Sequence, residues 1–149
     1  YFVCSGQEEV GGRGAKTAAF AVAPDLAVVL DVGFALTPGC GPDVASPLDA
    51  PVVTHGPYIQ PKLCKRLVDC AHAHHVKISQ DVAVRSTGTD TDDIVISRSG
   101  VPSVLISLPL KYMHTAVETI SLDTLEEAAR LLAHFVSELD ASWEDDLWI

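Results

Sequence analysis

The sequence predicts an α/β fold: a three-layer sandwich with a largely parallel central sheet. Two observations carry this. Leu26-Ala27-Val28-Val29-Leu30 and Ser103-Val104-Leu105-Ile106-Ser107-Leu108 are short, nearly unbroken apolar runs, the pattern of strands buried on both faces. Segments of helical period alternate with such runs along the chain, as in folds whose helices cover a parallel sheet. At 149 residues the chain is one domain.

The elements follow in order. Tyr1-Phe2-Val3-Cys4 is apolar, and a strand is expected at 1–5. It has no polar leader or cap, so the chain reads as the C-terminal part of a longer protein. Exposed apolar surface is then expected beside Tyr1-Phe2-Val3, where the missing portion would pack. Residues 14–23 are small and apolar and predict a helix, ended by Pro24-Asp25. A strand at 26–32 follows, closed by Asp31. Residues 37–58 hold five of the nine prolines and read as a long loop with at most a short strand near Val52-Val53. Pro61 opens a helix over 60–75 with Leu63, Leu67, Val68 and Ala71 on one face, and a strand is expected over 76–84. Asp90-Thr91-Asp92-Asp93 offers capping residues for a short helix through Ile94 and Ile96. After Gly100-Val101-Pro102 comes the strand at 103–108. The last helix, 123–139, starts from a capping box of Asp123 and Glu126. Its apolar stripe is Leu125, Ala128, Ala129, Leu132, Phe135, Val136 and Leu139. Residues 143–149 carry no assigned element.

Composition excludes several functions. Ten basic and twenty acidic side chains give a net charge of −10, which argues against nucleic-acid binding. No apolar run approaches the ~20 residues of a membrane span. Cys4, Cys40, Cys64 and Cys70 form no C-x-x-C pair, so a zinc knuckle or thioredoxin-type motif is unsupported. They read as buried free thiols in a reducing compartment, placing the protein in the cytoplasm.

The functional signal is Gly6-Gln7-Glu8-Glu9-Val10-Gly11-Gly12-Arg13-Gly14-Ala15-Lys16. Strand neighbours point to opposite faces, so Glu8 and Glu9 serve one cleft only if the glycines let the chain leave the pleat. One could then bind a metal while the other handles a proton. The competing reading is a plain acidic turn, with Glu9 favoured near a positive helix N-terminus. Glu8-Glu9, Asp31 and His114 each fall at or beyond the C-terminal end of an apolar run, the edge where open α/β sheets bind ligands. Two carboxylates and a histidine suit a hard-to-borderline divalent cation, with a further carboxylate left as proton acceptor.

Further motifs join these: Gly14-Ala15-Lys16-Thr17, Pro24-Asp25 through Leu30-Asp31-Val32, Thr89-Asp90, Ser97-Arg98-Ser99-Gly100-Val101-Pro102, and Tyr112-Met113-His114-Thr115-Ala116-Val117-Glu118. In this order, with Gly6–Gly11, the chain resembles the glutamyl or tetrahedral aminopeptidase family. These are two-metal peptidases, some of whose members are called endoglucanases. The resemblance implies a zinc-peptidase-like fold lacking its N-terminal portion, with 1–149 the C-terminal part of the catalytic domain. It implies a hydrolase that removes N-terminal residues from peptides, and a homo-oligomer. It implies Glu8 as general base, Glu9 and His114 as ligands of one metal, and Asp31 as ligand of the other. Two divalent cations, zinc or cobalt, are the implied cofactors. Thr89 and Asp90 are placed near the substrate cleft.

The family pattern also uses a His and a metal-bridging Asp from an earlier segment, and an inserted dimerisation domain. Neither is present in this sequence, and Thr37 stands where an Asp before the Pro is common. The chain therefore supplies about half of a two-metal site, and the alternative to an aminopeptidase is a non-catalytic fragment or subunit that keeps the fold. His72, His74 and His75 look like a metal cluster, yet histidines also favour the negative end of a helix, where these fall. Asp90, Asp92 and Asp93 lack the Gly and Glu of a calcium loop and read as helix caps. A cellulase is disfavoured, since nothing suggests two carboxylates flanking a sugar bond.

Overall fold

A computed structural model describes residues 1–145 and 147. The strands are β1 (Ala27–Phe34), β2 (Val52–His55), β3 (Ser79–Val82), β4 (Ser103–Lys111) and β5 (Thr119–Ile120). The helices are α1 (Arg13–Val22), α2 (Pro61–Ala73), α3 (Thr91–Ile94) and α4 (Leu122–Glu138). Of the C-terminal residues left without an element, positions 146, 148 and 149 lie outside the described residues.

The sheet runs β1–β4–β2–β3, with β5 added to β4. Parallel pairing carries most of the register: Ala27–Phe34 lies opposite Ser103–Leu110, and Val52–His55 opposite Ser79–Val82. The sheet is mixed at two short joints, where β2 and β5 each run antiparallel to β4. The first joint follows from the loop after β1. No helical crossover lies between β1 and β2 among the described elements, so the chain turns back at the same end of the sheet.

The strand expected at 1–5 is absent. Tyr1 and Phe2 are 100% and 97% exposed, and no described strand offers them a ladder. An apolar run without a partner cannot satisfy its backbone groups as a strand. The edge strand β1 also exposes Leu30, Val32 and Phe34. The strand expected over 76–84 shrinks to Ser79–Val82, a mostly exposed edge. β4 outruns its expected end and includes Pro109. β2 pairs only Val52 and Val53 with Ser107 and Ile106, and β5 begins opposite Leu110, so Pro109 sits between them where no N–H is needed.

Every β4 residue from Ser103 to Ile106 is buried, so both faces of the strand are covered. α2 and α4 pack on each other and on β4, while α1 reaches the sheet through α3. Leu63, Leu67, Ile106 and Leu131 are fully buried in the main core, each worth about 1.5–3 kcal/mol of apolar burial. The buried face of α4 is Thr124, Ala128, Leu131 and Phe135. Leu125 and Val136, expected in the stripe, are exposed. Its cap is Ser121, whose hydroxyl accepts from the Thr124 N–H, and not Asp123. Gln60 caps α2, accepting from the N–H groups of Lys62 and Leu63 at 2.7 and 2.9 Å.

All four cysteines are free. Cys64 and Cys70 are buried, and burial pushes both thiols up to about 11. Cys4 is exposed and Cys40 half-buried, so the expectation of buried thiols holds for two of the four.

Candidate active site

The glycine-rich stretch forms a tight turn. Glu8–Val10 is one 3₁₀ turn, entered through left-handed Gln7 (φ 62°) and left through Gly11 (φ 104°) and Gly12 (φ 55°). The Gly14 N–H donates to the Gly6 carbonyl at 2.9 Å. A Cβ at Gly14 would lie 2.3 Å from that oxygen, and one at Gly12 would lie 1.9 Å from Asp93 Oδ2. Backbone blocks any side chain at Gly14, a side chain at Gly12 would be strained by its positive φ and would displace Asp93, and the strand-like alternation of Glu8 and Glu9 is broken.

A second strained turn follows β4. Tyr112 (φ 59°) and His114 (φ 62°) are both left-handed, at a cost of about 1–3 kcal/mol each. The Thr115 N–H donates to the Tyr112 carbonyl at 3.1 Å, and the His114 N–H to Glu118 Oε1 at 2.7 Å. The two turns meet: His114 Nε2 lies 3.2 Å from Glu9 Oε1, although the residues are 105 apart in sequence.

Asp31 does not close its strand. β1 runs on to Phe34, and Asp31 sits within it, half-buried and opposite Ser107. Its Oδ1 accepts the Val32 N–H at 2.7 Å. Burial raises the proton affinity of Asp31, the Val32 N–H lowers it, and the charges of Asp90 and Glu9 raise it further. Glu8 is raised by burial, then by Asp31, Glu9 and Asp90, and lowered by His114. These five groups therefore form one electrostatic cluster.

Asp90 is not the helix cap the sequence implied. It stands at the cap position in helical conformation with no capping bond. It is buried; Oδ2 accepts from the Ser5 hydroxyl, and Oδ1 has no partner among the described residues. Asp92 secures the loop instead, accepting from the Thr87 N–H and hydroxyl at 3.0 and 2.7 Å and the Gly88 N–H at 3.1 Å. Thr89 belongs to a hydroxyl chain, 2.9 Å from both Thr87 and Thr91.

The donor set fits a divalent cation. Two ligands held about 2.0–2.2 Å from a tetrahedral zinc are about 3.3–3.5 Å apart, close to the Glu9–His114 separation. Glu9 is the carboxylate in contact with the imidazole. The charges of Glu8, Asp31 and Asp90 act at longer range, with no three of these groups at mutual ligand spacing among the described residues, and the buried Asp90 Oδ1 lacks a donor. Such crowding is costly without a compensating charge. Sequence reasoning missed the clamp from Glu118 to His114 and the place of Ser5 against Asp90. The first had a readable sign, a carboxylate four residues after the histidine; the second joins residues 85 apart and had none.

Residues 1–131 match the model of the M42 glutamyl aminopeptidases. A lysyl aminopeptidase of Pyrococcus furiosus is 34% identical over 140 residues, covering 93% of this chain and 40% of that protein. An aminopeptidase structure from Desulfurococcus kamchatkensis superposes with a TM-score of 0.89 at 31% identity, covering 98% of this chain and 43% of that one. A TET peptidase of Pyrococcus horikoshii that assembles into a tetrahedron or a large octahedral shell gives 0.66 at 26% identity, over 91% and 40%. The chain spans about two fifths of the length of these relatives. With a family match over most of its residues, and its fold shared with solved aminopeptidases, the chain belongs to the M42 glutamyl aminopeptidase family.

Proposed function

We propose that this chain is the C-terminal part of the catalytic domain of a metal-dependent aminopeptidase that removes N-terminal residues from peptides. The observation that carries this is the approach of Glu9 and His114 to 3.2 Å across 105 residues of sequence. Glu9 and His114 would hold one cation and Asp31 a second, with zinc or cobalt the metals that suit these donors. Bound there, the cations supply Lewis acidity, lowering the pKa of a water and polarising the scissile carbonyl.

The remaining roles belong to the chain's own side chains. Glu8 accepts the proton of the attacking water and returns it to the leaving amine. Its raised proton affinity supports that role. Asp90 and Thr89 line the substrate side, and the Thr87–Thr89–Thr91 hydroxyl chain fixes that wall. The resemblance supplies a further His and a bridging Asp from another segment, so turnover is assigned to a longer chain that contains this one. A homo-oligomer follows the TET relative, and free thiols favour the cytoplasm. A net charge of −10 disfavours nucleic acid, and no described helix is long and apolar enough to cross a membrane.

Coverage of two fifths of the relatives favours a second reading for these 149 residues alone, a fold kept without turnover. Metal analysis and hydrolysis of aminoacyl p-nitroanilides, on this chain and on a longer chain containing it, separate the two. Turnover in the longer chain, with metal and activity lost together in Glu9→Gln and His114→Ala, supports the peptidase. A metal-loaded longer chain with no turnover selects a non-catalytic subunit that keeps the fold, and turnover in the longer chain but not in these 149 residues makes this chain a non-catalytic fragment of an active enzyme.

A further inference from the structure

A second group of metal-ligating side chains lies away from this cluster, where the last turns of α2 and α4 come together. Cys70 and His74 are four apart on α2 and its C-cap, so they share one face of the helix. Glu138 ends α4 and reaches across: His74 Nε2 lies 2.5 Å from Glu138 Oε1. The ligand atoms of Cys70, His74 and Glu138 all lie within 4.8 Å of one another. His134, one turn before Glu138, stacks flat on the His74 ring at 3.8 Å between centroids and 8° between planes. That contact fixes the plane of the imidazole. His72 and His75, which sequence grouped with His74, are exposed and outside the group.

The chemistry of this trio is a thiol, an imidazole and a carboxylate. His74 and Glu138 clip the two helices together, and the Cys70 thiol hydrogen-bonds the same carboxylate. A soft sulfur donor beside a nitrogen and an oxygen donor is the mixture that zinc and cobalt select. An open cavity of about 310 Å³, lined by Cys70 and Glu138 with Asp69 and Asp140, leads to it. Asp69, Glu138 and Asp140 are carboxylates and Cys70 an ionisable thiol; Arg66 shares the lining, and Lys65 pairs with Asp69.

We propose that Cys70, His74 and Glu138 form a structural binding site for a zinc-type divalent cation, with its fourth position open to the cavity. Binding replaces the S–H bond of Cys70 by a sulfur–metal bond and releases that proton to solvent. The ion ties the C-terminal ends of α2 and α4, so it stabilises the helical layer and takes no part in peptide hydrolysis. The proposal is independent of the peptidase reading, because Glu8, Glu9, Asp31 and His114 include no sulfur.

Cobalt is the probe. The chain, stripped with chelator and kept reduced with a phosphine, is titrated with Co²⁺ while the near-ultraviolet thiolate-to-cobalt charge-transfer band is followed. The expected result is a saturable band, lost in Cys70→Ser and retained in Cys4→Ser, Cys64→Ser and His114→Ala. Losing even a supporting partner of a metal ligand costs about 10–100-fold in affinity, so His74→Asn and Glu138→Gln should each weaken the band's midpoint at least about tenfold. Both side chains are part-exposed, so these variants keep the test open if Cys70→Ser does not fold. Absence of the band at excess cobalt, its survival in Cys70→Ser, or an unchanged midpoint in both other variants overturns the proposal and leaves a hydrogen-bonded clip.

Discussion

Gly14→Ala sets two ordinary rules against each other. In a helix, Ala is favoured over Gly by about 0.8–1 kcal/mol, so propensity alone predicts stabilisation. Gly14 lies in the first turn of α1, and a Cβ there would stand 2.3 Å from the Gly6 oxygen and 2.4 Å from its nitrogen. Backbone atoms cannot swing aside as a side-chain tip can. Relief to about 3.2 Å requires a shift of roughly 0.9 Å, the scale of overpacking that costs about 1–3 kcal/mol. The Gly14-to-Gly6 hydrogen bond is lost with it, for about 1 kcal/mol more. The clash wins, and the net loss is about 1–3 kcal/mol, or roughly 2–12 °C in Tm for a chain of this size. The same shift moves the turn bearing Glu8 and Glu9, so the Glu9–His114 pair opens and cation affinity at that site falls. Thermal unfolding and zinc titration on Gly14→Ala, beside Gly41→Ala where no neighbour lies within 4 Å, measure both effects. A Gly14→Ala chain as stable as its parent, with unchanged zinc affinity, would refute the reasoning.

Other substitutions test single roles. In a chain with the complete metal site, Glu8→Gln should keep the cations and lower turnover by ~10²–10⁴-fold, while Glu9→Gln should lose both; metal analysis with steady-state kinetics decides, and the opposite pattern exchanges the two roles. Asp31 has a raised proton affinity in the fold, so its charged form destabilises the metal-free chain, most fully above its folded pKa. Asp31→Asn should therefore raise the metal-free Tm at neutral pH, and the gain should shrink as pH falls towards the ordinary carboxylate range near 3.9; a gain independent of pH would separate Asp31 from the acidic cluster. Gln60→Ala removes the acceptor for two N–H groups at the start of α2, and should cost about 0.5–2 kcal/mol in denaturant unfolding.

Legibility followed the range of the physics. β4 was visible because a strand buried on both faces must be apolar throughout, and α2 because Pro61 and the spacing of Leu63, Leu67 and Ala71 are local signals. β1 was found by the same apolar run, but it lies at the sheet edge with only Val29 buried, so the expected burial on both faces holds for β4 alone. The ends were less visible. Asp31 looked like a stop, but β1 is an edge strand, where a half-buried carboxylate can continue the ladder to Phe34. Tyr1-Phe2-Val3 has strand composition and no partner, which only the sheet order reveals. The α4 stripe was placed on Leu125 and Leu132 because both are large and apolar; packing chose the register through Thr124 and Leu131. At the site, Glu8, Glu9, Asp31 and His114 could be named from motifs. Asp90 could not be assigned from its neighbours, since Asp92, two residues on, does the local tying.

The two turns of the candidate site share one physical feature, and it bears on when the site is ordered. Gln7, Tyr112 and His114 are non-glycine residues in left-handed conformation, each about 1–3 kcal/mol above an ordinary backbone. They hold up a cluster of carboxylates in which burial first, and then mutual repulsion, raises Glu8 and Asp31. Few buried apolar contacts offset this, because Glu9 and His114 are largely exposed and so are Tyr1, Phe2 and Val3. Strain and repulsion both relax if the turns open, so the metal-free site should be the least stable part of the fold. A cation bound at a hundred times its Kd adds about 2.7 kcal/mol to the closed form, comparable to the cost of one such residue. Backbone amides of residues 6–14 and 112–118 should then exchange with deuterium markedly more slowly with zinc than without, while those of β4 residues 103–107 change little. Equal exchange in both states would mean that the turns are ordered by the chain alone, and that the left-handed residues are held by contacts within each turn.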